Sequence, residues 1–222
     1  MHTFSILTRR HALRSMGGLA AGLWAPGAFA EALTLTPAQT EGPFYPDHLP
    51  LDTDNDLLVI NEHTTPALGE ITYLSGRILD RNGEPLRDAT VEIWQCDHNG
   101  AYIHSRDSQK DKRDSHFQGY GRFLTGEKGE YLFRTIKPVP YPGRTPHIHA
   151  KVKHKGKELL TTQLYIKGHP QNDGDGVRRG IRDAAQLESV TVDFKKLEGA
   201  KADRYAATWD IVIGLTPDEQ AK

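Results

Sequence analysis

The sequence predicts an all-β domain: a single antiparallel β-sandwich with long loops and an extended N-terminal arm. Three observations predict it. From Leu74 onward short segments of alternating apolar and polar residues recur, glycine-containing turns separate them, and each segment is too short for a typical helix. The first covers residues 74–79, followed by the turn Asp80-Arg81-Asn82-Gly83. In the next, 89–95, Val91 and Ile93 face one way and Glu92 and Trp94 the other. An Asn-Gly turn between two such runs favours a hairpin. Segment 131–136 follows the turn Glu127-Lys128-Gly129, and 147–153 and 159–166 flank Lys155-Gly156-Lys157. Segments 189–194 and 205–215 end the sheet, with the last core strand over 207–213. Two polar stretches, 97–117 and 169–186, read as loops, and Asn172-Asp173-Gly174-Asp175-Gly176 reads as the most flexible of all. A short helix is expected over 182–187.

The 222 residues divide into a leader (1–30), an arm (31–70) rich in proline, threonine and acidic residues, and the sandwich domain (71–222). In the leader, Arg9-Arg10 precedes a mild apolar stretch from Met16 to Trp24, and Ala28-Phe29-Ala30 offers the small residues a signal peptidase reads. This reads as a twin-arginine export signal, which places the mature chain in the periplasm or outside the cell. The apolar run falls well short of the ~20 residues that span a bilayer, so no stable membrane anchor is expected. Lysine and arginine total 28 against 29 acidic residues, and a net charge of -1 gives no field to attract nucleic acid. The expected partner is a small molecule, and a homo-oligomer is left open. Cys96 is the single cysteine, which excludes an internal disulfide and multi-cysteine metal sites. Any metal must be held by nitrogen and oxygen.

His147-Ile148-His149 puts two imidazoles on one face of a strand. Alone the pair is a weak signal. Immediately upstream lies Tyr141-Pro142-Gly143-Arg144-Thr145-Pro146, and Tyr102 sits in the loop after segment 89–95. A phenol has a reference pKa near 10, so ligation as phenolate at neutral pH needs a cation of high charge. Two such hard oxygens suit Fe(III), whereas two histidines and a carboxylate would suit Fe(II) oxygenases.

Seven runs carry a resemblance over about residues 40–215. They are Thr40-Glu41-Gly42-Pro43-Phe44-Tyr45-Pro46, Val91-Glu92-Ile93-Trp94-Gln95, Gly100-Ala101-Tyr102, Phe133-Arg134-Thr135-Ile136-Lys137-Pro138, Pro140-Tyr141-Pro142, Arg144-Thr145-Pro146-His147-Ile148-His149 and Thr162-Gln163-Leu164-Tyr165. In these the chain resembles the intradiol ring-cleavage dioxygenases, which include protocatechuate and catechol dioxygenases. The resemblance implies a transthyretin-like sandwich and one non-haem Fe(III) held by Tyr102, Tyr141, His147 and His149, with Tyr141 and His147 axial. It implies a catechol-type substrate and O2, opened to a cis,cis-muconate-type product in aromatic catabolism. Tyr141 would leave the metal as substrate binds and take up a substrate proton, and Arg144 would stabilise negative charge developing on the ring. Gln163 would support the site from the next strand, and Tyr45 would line the substrate side.

Other residues read plainly. Trp94 and Trp209 read as core, Cys96 as a buried small residue, and His98, His104 and His116 as solvated loop histidines. Arg122 and Arg134 read as sheet support. Lys151 and Lys153 would flank an open mouth suited to carboxylated or lignin-derived catechols. The chain lacks the N-terminal helical region of the catechol and hydroxyquinol enzymes, and its stretch from Tyr141 to His147 is shorter than in the protocatechuate enzymes. Two other classes stay open: an exported β-sandwich binding module, and a periplasmic buffer for copper or zinc. Colour separates them, since tyrosinate bound to ferric iron is wine-red.

Overall fold

A computed structural model describes residues 33–61, 65–199 and 203–214, and the expected export signal lies outside the described residues. The strands are β1 (Ile71–Asp80), β2 (Ala89–Trp94), β3 (Tyr120–Leu124), β4 (Glu130–Ile136), β5 (His147–His154), β6 (Lys157–Ile166), β7 (Thr191–Val192), β8 (Lys195–Lys196), β9 (Arg204–Thr208) and β10 (Ile211–Ile213). Helix α1 (Ala184–Ser189) lies near the helix expected at 182–187, and Asp183 caps it by accepting from Gln186 N at 2.8 Å. No helix among the described residues is long and apolar enough to cross a membrane.

Two five-stranded sheets form. In the first, β1 pairs β4 on one side and is joined by β9 and β10, with β8 beyond β9; the second runs β3-β2-β5-β6-β7. Alternation decides which face each strand buries. Leu74, Ile78, Phe133 and Ile136 of the first sheet join Val91, Ile93, Ile148, Ala150, Val152 and Leu164 of the second in one apolar cluster. Burying each of these side chains other than Ala150 is worth about 1.5–3 kcal/mol, so this cluster supplies the main driving force. Gln95 adds a polar tie, accepting from Thr135 Oγ1 at 2.9 Å and donating to Ile136 O at 3.1 Å.

The fold departs from the expected one in four places. The sheets are mixed rather than antiparallel, because β1 pairs both β9 and β10 in parallel and β6 pairs β7 in parallel. The expected hairpin between β1 and β2 is absent: β1 pairs β4, while β2 pairs β3 and β5 in the other sheet. The Asn-Gly turn does send the chain back, with Leu86 N donating to Ile78 O at 2.8 Å. Return pairing runs through Pro85 to Leu86 and then ends, where Asp88 adopts a φ of 56° and turns the chain toward the second sheet. Strand β3 was not expected, lying beside a glycine-rich stretch. Finally, the expected strand 207–213 is broken at Trp209-Asp210. There Gly76 of β1 faces Trp209 O so closely that a Cβ would sit 1.8 Å from it, and Tyr131 Oη donates to the same carbonyl at 2.6 Å.

The N-terminal segment reaches both sheets. Thr36 N donates to Val212 O at 3.0 Å and Gln39 N to Thr161 O at 2.8 Å. Further on, Leu57 and Leu58 are fully buried, and Arg134 Nη1 meets Asp56 Oδ2 at 2.7 Å. This path carries Phe44 and Tyr45 over the outer face of the second sheet.

Candidate metal centre and active site

Strand β5 sorts its side chains by parity: Ile148, Ala150 and Val152 enter the main core, and His147 and His149 face the other way. Register supplies their neighbours. Trp94 lies opposite His149 on β2, Gln163 opposite His149 on β6, and Tyr165 opposite His147. Trp94 stacks on the His149 ring, centroids 4.7 Å apart and planes at 10°. It is buried as expected, but in a second cluster with Cys96, Tyr102 and Tyr120, packed by Phe44, Tyr45 and Tyr141. Trp209 belongs to the main core.

Loops bring the phenols. Buried carboxylates organise the loop after β2: Asp97 Oδ1 accepts from Asn99 N at 2.8 Å and Ala101 N at 2.9 Å, and Asp107 Oδ2 accepts from Tyr102 N at 2.5 Å. Phe44 then stacks on Tyr102 at 5.0 Å. Tyr141 reaches the same place from the loop before β5, where Arg144 N donates to Tyr141 O at 2.9 Å.

Three polar heads converge, and the Tyr141 ring packs against them. His147 Nε2 lies 3.2 Å from His149 Nε2 and 3.4 Å from Tyr102 Oη, and the Tyr102 and Tyr141 rings meet edge to face at 5.4 Å. Two donors each about 2.1 Å from one ion and at 90–120° to each other are about 3.0–3.6 Å apart, so these spacings fit a shared metal. His147 Nδ1 faces Thr145 O at 2.6 Å; donating there leaves Nε2 with a free lone pair. Burial, followed by the Arg144 charge, pushes the His147 imidazole down to about 4, and burial with the neighbouring His147 and Arg144 holds His149 well below its ordinary value. Both rings are therefore neutral at pH 7. Burial raises the Tyr102 hydroxyl well above the ordinary phenol value, and also raises Tyr141, opposed by Arg144. Neither phenol ionises unaided, so the set suits a cation strong enough to displace their protons.

Arg144 is mostly buried beside this group. Its Nη1 donates to Tyr141 Oη at 3.3 Å, its Nη2 to Gln163 Oε1 at 2.6 Å and its Nε to Asp175 Oδ2 at 2.8 Å. Gln163 is fully buried and donates to Thr40 O at 2.8 Å, joining the arm to the site. A cavity of about 280 Å³ opens here, lined by Tyr141, Arg144, Thr145, Pro170, Gln171 and Asp175 among others.

Tyr45 stands one ring further out. It meets Trp94 edge to face at 5.0 Å and donates to Glu92 Oε2 at 2.9 Å, so it backs the stack on His149. Lys151 and Lys153 do not flank the mouth as free cations. Lys151 pairs with Glu41 and Glu158 and lies over the Tyr45 ring, and Lys153 pairs with Glu92 at 2.7 Å. His104 is buried against Phe44 rather than solvated, while His98 and His116 flank Asp114. Cys96 is buried, and desolvation pushes its thiol up to about 12, so it is no nucleophile. Asp175 was missed by sequence reading. Its stretch looks mobile, yet it forms a short 3₁₀ turn (Pro170–Gly174) in which Asn172, like Asp175 beside it, is buried.

Comparisons with known proteins bear on the family of the chain. A family model described as "Dioxygenase" matches residues 40–214. The protocatechuate 3,4-dioxygenase beta chain of Burkholderia cepacia is 37% identical over 142 residues, covering 60% of this chain and 60% of its own. Catechol 1,2-dioxygenase of Candida albicans is 28% identical over 195 residues, covering 78% of this chain and 60% of its own. The chain thus spans about three fifths of the length of these curated relatives. Among solved structures, the dioxygenase domain of a dioxygenase carbohydrate-binding protein fusion from Streptomyces sp. SirexAA-E is 30% identical, with a TM-score of 0.62 over 82% of this chain and 100% of that one. The chain belongs to the intradiol dioxygenase family.

Proposed function

We propose that this protein binds one non-haem Fe(III) through Tyr102, Tyr141, His147 and His149 and opens catechol-type rings between the two hydroxylated carbons with O2. The observation that carries the reading is the convergence of Tyr102 Oη and two neutral imidazole nitrogens at ligand spacing, with the Tyr141 ring packed against both Tyr102 and His147. Bound Fe(III) would supply a Lewis acid that draws electron density from a catecholate and leaves a ring carbon open to O2. The protein's own groups supply the rest. Tyr141, partly exposed where Tyr102 is fully buried, is the side chain with room to move and, as phenolate, to accept a substrate proton at Oη. Arg144 points Nη1 at that oxygen and stabilises negative charge building on the ring. Phe44, Trp94 and Tyr45 keep water from the His149 side.

In the balanced reaction one catechol and one O2 give one dicarboxylic acid, both oxygen atoms are retained, and no external reductant is consumed. Iron-loaded protein in an oxygen electrode should consume about one O2 per ring opened. Absence of uptake across catechol, protocatechuate and hydroxyquinol would refute the activity, and a colourless iron-treated protein would favour a binding module instead.

We also propose export by the twin-arginine route, on the strength of Arg9-Arg10, the mild apolar run and Ala28-Phe29-Ala30. Fractionation should find a mature chain outside the cytoplasm. An Arg9→Lys, Arg10→Lys variant exported as well as the natural chain would rule that route out.

A further inference from the structure

The loop that reads from sequence as the most flexible is tied to the site by its two buried polar side chains. Asn172 Oδ1 accepts from Thr145 Oγ1 at 2.9 Å, and its Nδ2 donates to Ile166 O at 2.8 Å. Asp175, whose side chain is 0% exposed, makes three contacts. Oδ2 accepts from Arg144 Nε at 2.8 Å and from Thr145 N at 3.0 Å, and Oδ1 accepts from Arg178 N at 2.9 Å.

These bonds divide the guanidinium edge by edge. Arginine carries five N–H donors in a rigid plane. Gln163 takes Nη2, Asp175 takes Nε, and Nη1 is left facing Tyr141 Oη. Gln163 alone would hold one corner and let the plane turn about it. A second acceptor on the Nε edge removes that rotation, and an ionised one gives the stronger, charge-assisted bond. The same carboxylate holds Thr145 N, whose residue in turn offers its carbonyl to His147 Nδ1.

We infer that Asp175 is a positioning residue for ring cleavage, an inference resting on the function proposed above: its carboxylate sets the plane of Arg144 so that Nη1 faces the reacting oxygens. The test compares iron-loaded Asp175→Asn, Arg144→Gln and the double variant. Asparagine keeps the volume and one acceptor oxygen. Asp175→Asn should bind catechol anaerobically within about 3-fold of the natural protein, while kcat falls about 10–100-fold. Its tyrosinate-to-iron absorption band should shift in the direction seen for Arg144→Gln, since both changes release the Nη1 bond to Tyr141. The double variant should match Arg144→Gln in kcat within about 2-fold, because the two side chains act as one unit.

Losses that instead add in full in the double variant would overturn the inference, as would an unmoved band in Asp175→Asn beside a shifted one in Arg144→Gln. If Asp175→Asn does not accumulate folded, Asp175→Glu serves, since it keeps the charge and the Arg144 guanidinium but moves the carboxylate by one methylene from the Nε edge. A fall in kcat together with a shifted absorption band supports the inference, and an unchanged kcat and band overturn it. A natural protein that takes up iron without colour and opens no ring removes the proposed function itself, whereas a red, active one with additive losses removes only the role of Asp175.

Discussion

Tyr102→Phe should bleach much of the colour of the iron-loaded protein and weaken iron retention by about 100-fold or more, since loss even of groups that only support a metal ligand costs about 10–100-fold. The change removes one oxygen and little else. Phenylalanine keeps the ring stacked on Phe44 and buried among Trp94, Cys96 and Tyr120, so the fold should hold. The hydroxyl is fully buried, with His147 Nε2 at 3.4 Å, and burial holds its proton firmly. Only a strong cation gives that group a reason to ionise, and its loss should therefore register in the iron chemistry. Visible absorption during iron titration checks this, and an unchanged band would show that Tyr102 is no ligand.

Arg144→Gln should lower kcat by about 10²–10³, the loss typical of one oriented donor aimed at developing negative charge. Stability should fall as well. The Arg144–Asp175 pair is buried, at 14% and 0% side-chain exposure, and removing one member of such a pair costs about 3–5 kcal/mol by leaving a charge uncompensated. Asp175→Asn in the same chain should recover part of that stability while leaving kcat low. Urea unfolding and steady-state oxygen uptake separate the two effects. A kcat within a few-fold of the natural protein would remove Arg144 from the reaction.

Much of the site is legible in the sequence because its spacing is local. His147 and His149 share a face through the two-residue repeat of a strand, and Arg144 lies one short turn upstream. Tyr102 and Gln163 come into view only through the motifs they sit in, since neither is near the histidines in sequence; pairing of β5 with β6 places Gln163 opposite His149. Two expectations fail for one shared reason. Lys151 and Lys153 look like free cations on a strand, and Asp175 looks like part of a mobile glycine-rich turn; Glu158 reaches Lys151 from the next strand of its hairpin, but the other partners, Glu41, Glu92 and Arg144, are 31 or more residues away. No local rule can supply such a partner.

The strand pairings divide in the same way. Alternation names the residues each strand buries, because parity is a property of one segment. It does not name the neighbour, and Asn82-Gly83 invites a hairpin that the turn at Asp88 diverts into the other sheet. By itself, the sequence determined an all-β chain, the faces of its strands and the residue types gathered at the candidate site, since these depend on residue type and short spacing. Tertiary structure decided which sheet each strand joins, which carboxylate holds the arginine and which cations are neutralised. Those outcomes depend on through-space distance, and burial makes each one costly to leave unpaired.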